Sequence, residues 1–212
     1  MNERAGRSEC MQERHYDELL NIKTEGNQKG FNKSFHYHRY EATPYQALEK
    51  LFAEYELNSH DHIIDFGCGK GRLNFFIHYL FQASVTGVEM NEKLYQEAID
   101  NQTSYLKKAK DNKGMIQFQC CLAEKYEISP LDNRFYFFNP FTIPIFWKII
   151  NNILASVEKY KREVDVILYY PSEDYIYYLE NHTLFELIKE VQLPGIYENN
   201  PNERFLIYRL AY

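Results

Sequence analysis

The sequence predicts an α/β fold: a doubly wound, mostly parallel, seven-stranded sheet covered by helices and finished by an antiparallel β-hairpin. Three observations predict it. Strand-like and helix-like segments alternate from residue 62 to residue 170, as expected of β-α-β units. The first apolar run ends in closely spaced glycines and a helix follows them. Two β-like stretches near the C-terminus are separated by Pro194, Gly195, Asn199, Asn200 and Pro201, a turn-rich loop that suits a hairpin.

The elements follow in order. Residues 1–40 are expected to form an appendage or lid, with a helix around Gln12–Lys23 whose apolar stripe is Leu19, Leu20 and Ile22. The domain proper is expected over 41–212. It opens with a helix from Pro44 to Leu57, in which Tyr45, Leu48, Leu51, Phe52 and Tyr55 recur at three- and four-residue spacing. Thr43 is its expected cap, with Pro44 at the first helical position. His62–Phe66 reads as the first strand, Leu73–Phe81 as a helix and Ser84–Val88 as the second strand. Asn91 is placed to cap a long helix reaching about Lys110, with Leu94, Ala98, Ile99 and Leu106 on its apolar side. Gly114 breaks that helix before a third strand, Met115–Cys121. Arg134–Phe138 is the fourth strand, Ile143–Tyr160 a helix and Val164–Tyr170 the fifth strand. A short helix over Ser172–Asn181, capped by Ser172, precedes the stretches Phe185–Leu193 and Arg204–Leu210.

Composition excludes several function classes. The chain has 212 residues with 24 Lys plus Arg against 30 Asp plus Glu, a formal net charge of −6. That balance disfavours an extended grip on a nucleic-acid backbone, which needs a basic face, though it leaves room for a local patch. No apolar run reaches the ~18 residues of a membrane span, so no membrane partner is expected. The charged N-terminus has no apolar signal core, and a cytoplasmic protein is expected. Cys10, Cys68, Cys120 and Cys121 form no paired metal-binding spacing, so no metal is assigned; the adjacent pair is expected to sit buried as small apolar residues.

The strongest motif is Ile63-Ile64-Asp65-Phe66-Gly67-Cys68-Gly69-Lys70-Gly71-Arg72. Its glycines allow a tight turn and close backbone approach to a ligand beyond the carboxyl end of the strand. The spacing is G-x-G-x-G, one residue short of the dinucleotide fingerprint, with Arg72 at the place of that fingerprint's last glycine. A nucleoside ligand without pyrophosphate fits this better than a dinucleotide. About 20 residues later Glu89 ends the second strand, where an acid can accept hydrogen bonds from ribose hydroxyls. Asp65 is expected to orient the loop through backbone N–H groups or to meet a cationic ligand.

The run IIDFGCGKGRL followed by VEM resembles the class I, Rossmann-like methyltransferases that use S-adenosylmethionine. The resemblance covers about residues 40–210 and includes the terminal hairpin. It implies that Asp65, Gly67, Cys68, Gly69 and Gly71 hold the methionine end of S-adenosylmethionine. It further implies that Glu89 takes the ribose, Met90 packs on adenine, and Leu122, Ala123 and Glu124 lie at the adenine edge. Tyr40, Thr43 and Arg39, just before the domain, are candidate contacts for the donor carboxylate. At the end of the fourth strand, Asn139, Pro140 and Phe141 resemble the Asn-Pro motif with which amino methyltransferases clamp an amine. The second Pro of that motif is missing. The resemblance thus implies methyl transfer, to nitrogen by this motif, on a protein, nucleobase or small-amine acceptor. The alternative is a non-catalytic module that keeps the fold for binding. A tyrosine cluster at Tyr169, Tyr170, Tyr175, Tyr177 and Tyr178 fits either core packing or the wall of a substrate pocket.

Overall fold

The computed structural model describes residues 13–26, 41–109 and 114–211. Helix α1 occupies residues 13–20 and stops at Asn21, whose φ of +56° is the left-handed conformation that ends many helices. It is followed by α2 (Tyr45–Glu54), β1 (His62–Phe66), α3 (Arg72–Phe81), β2 (Ser84–Glu89), α4 (Glu92–Lys108) and β3 (Ile116–Cys120). A 3₁₀ turn (Ala123–Lys125) leads to β4 (Arg134–Phe137), α5 (Ile143–Lys159), β5 (Val164–Tyr169), α6 (Glu173–His182), β6 (Glu186–Gln192) and β7 (Arg204–Leu210).

All seven strands form one sheet in the order β3-β2-β1-β4-β5-β7-β6. The pairs β1–β2, β1–β4, β2–β3 and β4–β5 are parallel, and β7 runs antiparallel to both of its neighbours. Strand order reverses between β1 and β4, so the crevice where such sheets bind ligands opens above that pair. The register fixes its floor: Asp65 lies opposite Gly87 of β2 and opposite Tyr136 of β4.

Two apolar clusters cover the two faces of the sheet. One contains Leu20, Ile22, Leu48, Phe76 and Tyr105, so the segment 13–26 shares the core of the first three long helices. The other contains Phe146, Ile150, Tyr175 and Leu179 from α5 and α6. Most of the aromatic residues expected either in the core or around a pocket are core here: Tyr175 stacks on Phe146 with centroids 3.6 Å apart, while Tyr177 is exposed.

Three local expectations change. Thr43 does not cap α2: Pro44 takes that position without a side-chain cap, and the Tyr45 N–H is satisfied by the Glu13 carboxylate at 2.9 Å. A carboxylate there also meets the positive end of the helix. Asn91 caps α4 as expected, accepting from Lys93 N and Leu94 N, but the buried face runs Leu94, Ala98, Asn101, Tyr105 and leaves Leu106 exposed. That series keeps the 3.6-residue period, which Leu106 misses by one position. Finally, β3 is an edge strand, so Cys120 is exposed and Cys121 half-buried, and among the described residues only Cys68 is a buried cysteine.

Candidate active site

After β1 the chain turns through Gly67, Gly69 and Gly71, with φ of +83°, +55° and +85°. Side chains are disfavoured in that region, and space forbids them too: a Cβ on Gly71 would stand 2.7 Å from the Phe118 ring. The N–H groups of Gly67 and Cys68 both donate to the Val88 carbonyl, which fastens the loop to the end of β2. Gly69 N–H donates to Glu89 Oε2 at 3.0 Å, and Asn91 N–H to Glu89 Oε1 at 2.8 Å. Thus Glu89, not Asp65, organises the loop backbone. Burial raises the Glu89 carboxyl above its ordinary pKa, and the N–H groups of Asn91, Gly69 and Met90 oppose that rise.

Asp65 is buried beneath the loop. Its partner is Asn74 on α3, whose amide, oriented to satisfy both neighbours, donates to Asp65 Oδ2 at 3.0 Å and accepts from Gly87 N at 3.1 Å. Burial first, and the nearby Glu89 charge second, push the Asp65 pKa up to about 8. Next to it the Tyr136 hydroxyl is 2.8 Å from Thr43 Oγ1. Thr43, Asp65, Gly67, Cys68, Tyr136 and Phe138 line a narrow cavity at this point. On the far side of the loop Met90 and Glu124 are half-buried, Leu122 is exposed, and Ala123 is buried at the start of the 3₁₀ turn. Tyr40 and Arg39 lie outside the described residues.

Arg72 was singled out only by spacing, yet it joins much of this end. It is buried, donates to Thr24 Oγ1 at 2.7 Å and to the Thr43 carbonyl at 3.2 Å, pairs with Glu13, and lies 4.5 Å over the Tyr45 ring. Asn101 adds a second brace, accepting from Lys23 N and donating to the carbonyls of Lys23 and Lys70. The available signal was a cation at the first turn of an otherwise apolar helix.

At the end of β4 the second motif meets the first. A Cβ on Gly67 would lie 2.8 Å from Pro140 Cβ, so the Asn139–Pro140 turn packs directly against the glycine loop. Asn139 holds φ +40°, and Tyr170, at the end of the adjacent β5, holds φ +51°. Left-handed non-glycine residues concentrate at functional sites, where the surroundings over-determine them. Asn139 and Pro140 are half-buried. Phe141 is a core residue: its ring is 2% exposed, and its N–H and C=O both bond the Tyr175 hydroxyl, at 3.2 and 2.6 Å.

Residues 42–128 match the family described as a methyltransferase domain. The fold agrees with that of the RNA methyltransferase from Salinibacter ruber in complex with S-adenosylhomocysteine, at TM-score 0.54 and 15% identity over 80% of this chain and 92% of that one. Residues 42–128 thus match a methyltransferase domain, and the fold is that of S-adenosylmethionine-dependent methyltransferases. The methyltransferase is also similar in structure to phosphoethanolamine N-methyltransferase 1 of Haemonchus contortus (TM-score 0.59, 10% identity, 79% of this chain and 42% of that one). A Pyrococcus horikoshii protein named as a candidate RNA methyltransferase aligns over 95% of this chain and 98% of its own, at TM-score 0.53 and 17% identity. No curated protein sequence matches the methyltransferase.

The residues present fit S-adenosylmethionine. Gly67 is exposed at the mouth of the loop, and its backbone conformation excludes a side chain from the ligand's path. Glu89 offers a buried carboxylate with acceptor capacity beyond the N–H bonds from Gly69 and Asn91, the chemistry that paired ribose hydroxyls require. Among the described residues no group of three His, Cys, Asp or Glu side chains could hold a metal ion, and no helix is long and apolar enough to cross a membrane.

Proposed function

We propose that this methyltransferase transfers its methyl group to a nitrogen acceptor seated at the Asn139–Pro140 turn. The observation that carries the reading is the contact between Pro140 and Gly67, which sets the acceptor turn against the donor loop. Gly67, Cys68, Gly69 and Gly71 would hold the methionine end of the donor, with Asp65 beneath its cationic groups and Thr43 and Tyr40 at its carboxylate. Glu89 would take the ribose, while Met90, Leu122, Ala123 and Glu124 would border the adenine. When bound, S-adenosylmethionine supplies an electrophilic methyl: its S–CH3 bond breaks as an N–CH3 bond forms, and an ammonium acceptor first gives its proton to solvent or a carboxylate.

The protein's task is placement, since aligning donor and acceptor supplies most of the barrier reduction in such transfers. Asn139, held left-handed at the strand end, would present its side-chain oxygen to an amine N–H and so aim the lone pair at the methyl. The segment 13–26, tied to the loop through Arg72 and Asn101, would act as a brace of the donor site. Protein, nucleobase and small-amine acceptors all present such a nitrogen, and several structural neighbours are RNA or tRNA methyltransferases.

The test is transfer of labelled methyl to a panel of amine-bearing acceptors by the parent and by Asn139→Ala. The reading expects kcat to fall by roughly 10²-fold, the scale of a lost orienting group, while donor affinity stays within about twofold. Equal turnover in the two proteins, or labelling of carbon or oxygen alone, overturns it.

A further inference from the structure

Beyond the carboxyl ends of β4 and β5 lies a groove of about 1090 Å³, bounded by the start of α2 and by the loop joining β6 to β7. Phe138 and Glu41 line both this groove and the narrow cavity at Gly67, so the groove opens onto the reaction centre. Its floor is aromatic: Phe138 and Tyr170 are half-buried there, over the buried Tyr169, whose ring centroid is 4.6 Å from that of Phe138, and Tyr170 is tied to the far wall by Asn200, whose amide donates to its hydroxyl at 2.9 Å. The walls are acidic. Glu41, Glu49 and Glu203 line it, Glu49 accepting from the Tyr16 hydroxyl and Glu203 Oε2 from Tyr169 at 2.8 Å; Glu13 lines it too and pairs with Arg72. Among the described residues that line it, the cation is Lys50, which is bound to Glu54 at 2.6 Å.

We infer that this groove takes a basic peptide segment of a protein, whose amino group is the methyl acceptor. This deepens the nitrogen-acceptor reading and rests on it. Aromatic faces bordered by carboxylates attract ammonium and guanidinium groups, and the same charges repel a phosphate backbone. That distinction matters here because RNA-directed proteins share the fold. The volume lies at the upper end of the roughly 300–1,000 Å³ range of ligand pockets, leaving room for residues that flank the modified one.

The experiment is fluorescence anisotropy with a labelled Lys-Gly repeat peptide, a single-stranded RNA oligonucleotide and spermidine as competitor, in the presence of S-adenosylhomocysteine. The peptide is expected to bind best, to weaken as salt rises, and to lose about tenfold in affinity in the Glu49→Gln/Glu203→Gln variant. The thermal shift produced by S-adenosylhomocysteine should be the same in that variant, showing that its fold and donor site are intact. Tighter binding of the RNA, displacement of the peptide by spermidine at equal concentration, or an unchanged peptide affinity in the variant each overturns the inference. Failure of the nitrogen-acceptor reading is separate: it appears as unaltered turnover in Asn139→Ala, whichever ligand fills the groove.

Discussion

The proposed donor end above β1 and β2 and the proposed acceptor end above β4 and β5 are built in different ways. At the donor end, backbone does the positioning: three left-handed glycines, two N–H groups on the Val88 carbonyl, and the N–H groups of Gly69 and Asn91 on one carboxylate. At the acceptor end, side chains contributed by β4, β5, α2 and the β6–β7 loop make the surface. A ligand common to many enzymes can be held by a local backbone device. An acceptor peculiar to one enzyme needs side chains gathered from distant sequence positions, which can change without disturbing the donor loop.

The sharpest way to break that contrast is Glu89→Ala. Two charge-assisted hydrogen bonds of about 1.5–3 kcal/mol each disappear, and the Gly69 N–H loses its partner. S-adenosylhomocysteine affinity, measured by isothermal titration, is expected to fall by about 10²-fold or more. A loss under about threefold would show that the loop holds its shape without the carboxylate. Asn139→Ala is the mirror case, with turnover lost and donor affinity kept. If the two variants gave the same profile, the division into donor and acceptor ends would be wrong.

A second test uses pH. Burial pushes the Asp65 carboxyl from its usual 3.8 up to about 8, so folding favours its neutral form. The folded state therefore binds the extra proton between those values, and stability falls as pH rises toward 8. The expected decline is about 3–4 kcal/mol between about pH 5 and pH 8, measured by urea unfolding, and Asp65→Asn should flatten it. A cationic donor above Asp65 reverses the sign for binding: affinity should rise over the same interval and release a proton. Calorimetry in buffers of different ionisation enthalpy reads that proton. A wild-type slope unchanged in Asp65→Asn would place the titration on another group.

How much of this was legible follows from the same contrast. The order of strands, the glycine turn and the acid at Glu89 lie within one β-α-β unit, where spacing alone carries the geometry. The capping roles of Asn91 and Ser172 are likewise local and are as the sequence reads. Thr43 misled because its neighbour across the fold, Tyr136, claims the hydroxyl, while a carboxylate 32 residues upstream of Tyr45 serves the helix end. Cys120 misled because burial depends on whether a strand is central, and β3 is an edge. Neither the Arg72 brace nor the groove beside Tyr169 has a local pattern; each is assembled by topology. Tyr175 and Tyr178 are core residues of α6 while Tyr169 and Tyr170 border the groove, a division that composition does not encode.

The smallest expected effect concerns the seam between the two ends. Thr43 Oγ1 and the Tyr136 hydroxyl are both buried and 2.8 Å apart, and burial raises the Tyr136 pKa well above the ordinary tyrosine value, so the phenol stays protonated. Thr43→Val leaves the phenol without this partner, and Tyr136→Phe leaves the threonine hydroxyl so. Each single change is expected to cost about 1–2 kcal/mol in urea unfolding, the scale of an orphaned buried hydroxyl. The double variant should cost less than the sum by about 1 kcal/mol, because it removes both polar groups together. The Asp65 register partner is Tyr136, so the seam also sets how β4 presents the acceptor turn to the donor loop. Turnover should then fall a few-fold in either single variant and recover in part in the double one. Strict additivity in both stability and turnover would mean that the two ends are positioned independently, with the contact between Gly67 and Pro140 as their sole coupling.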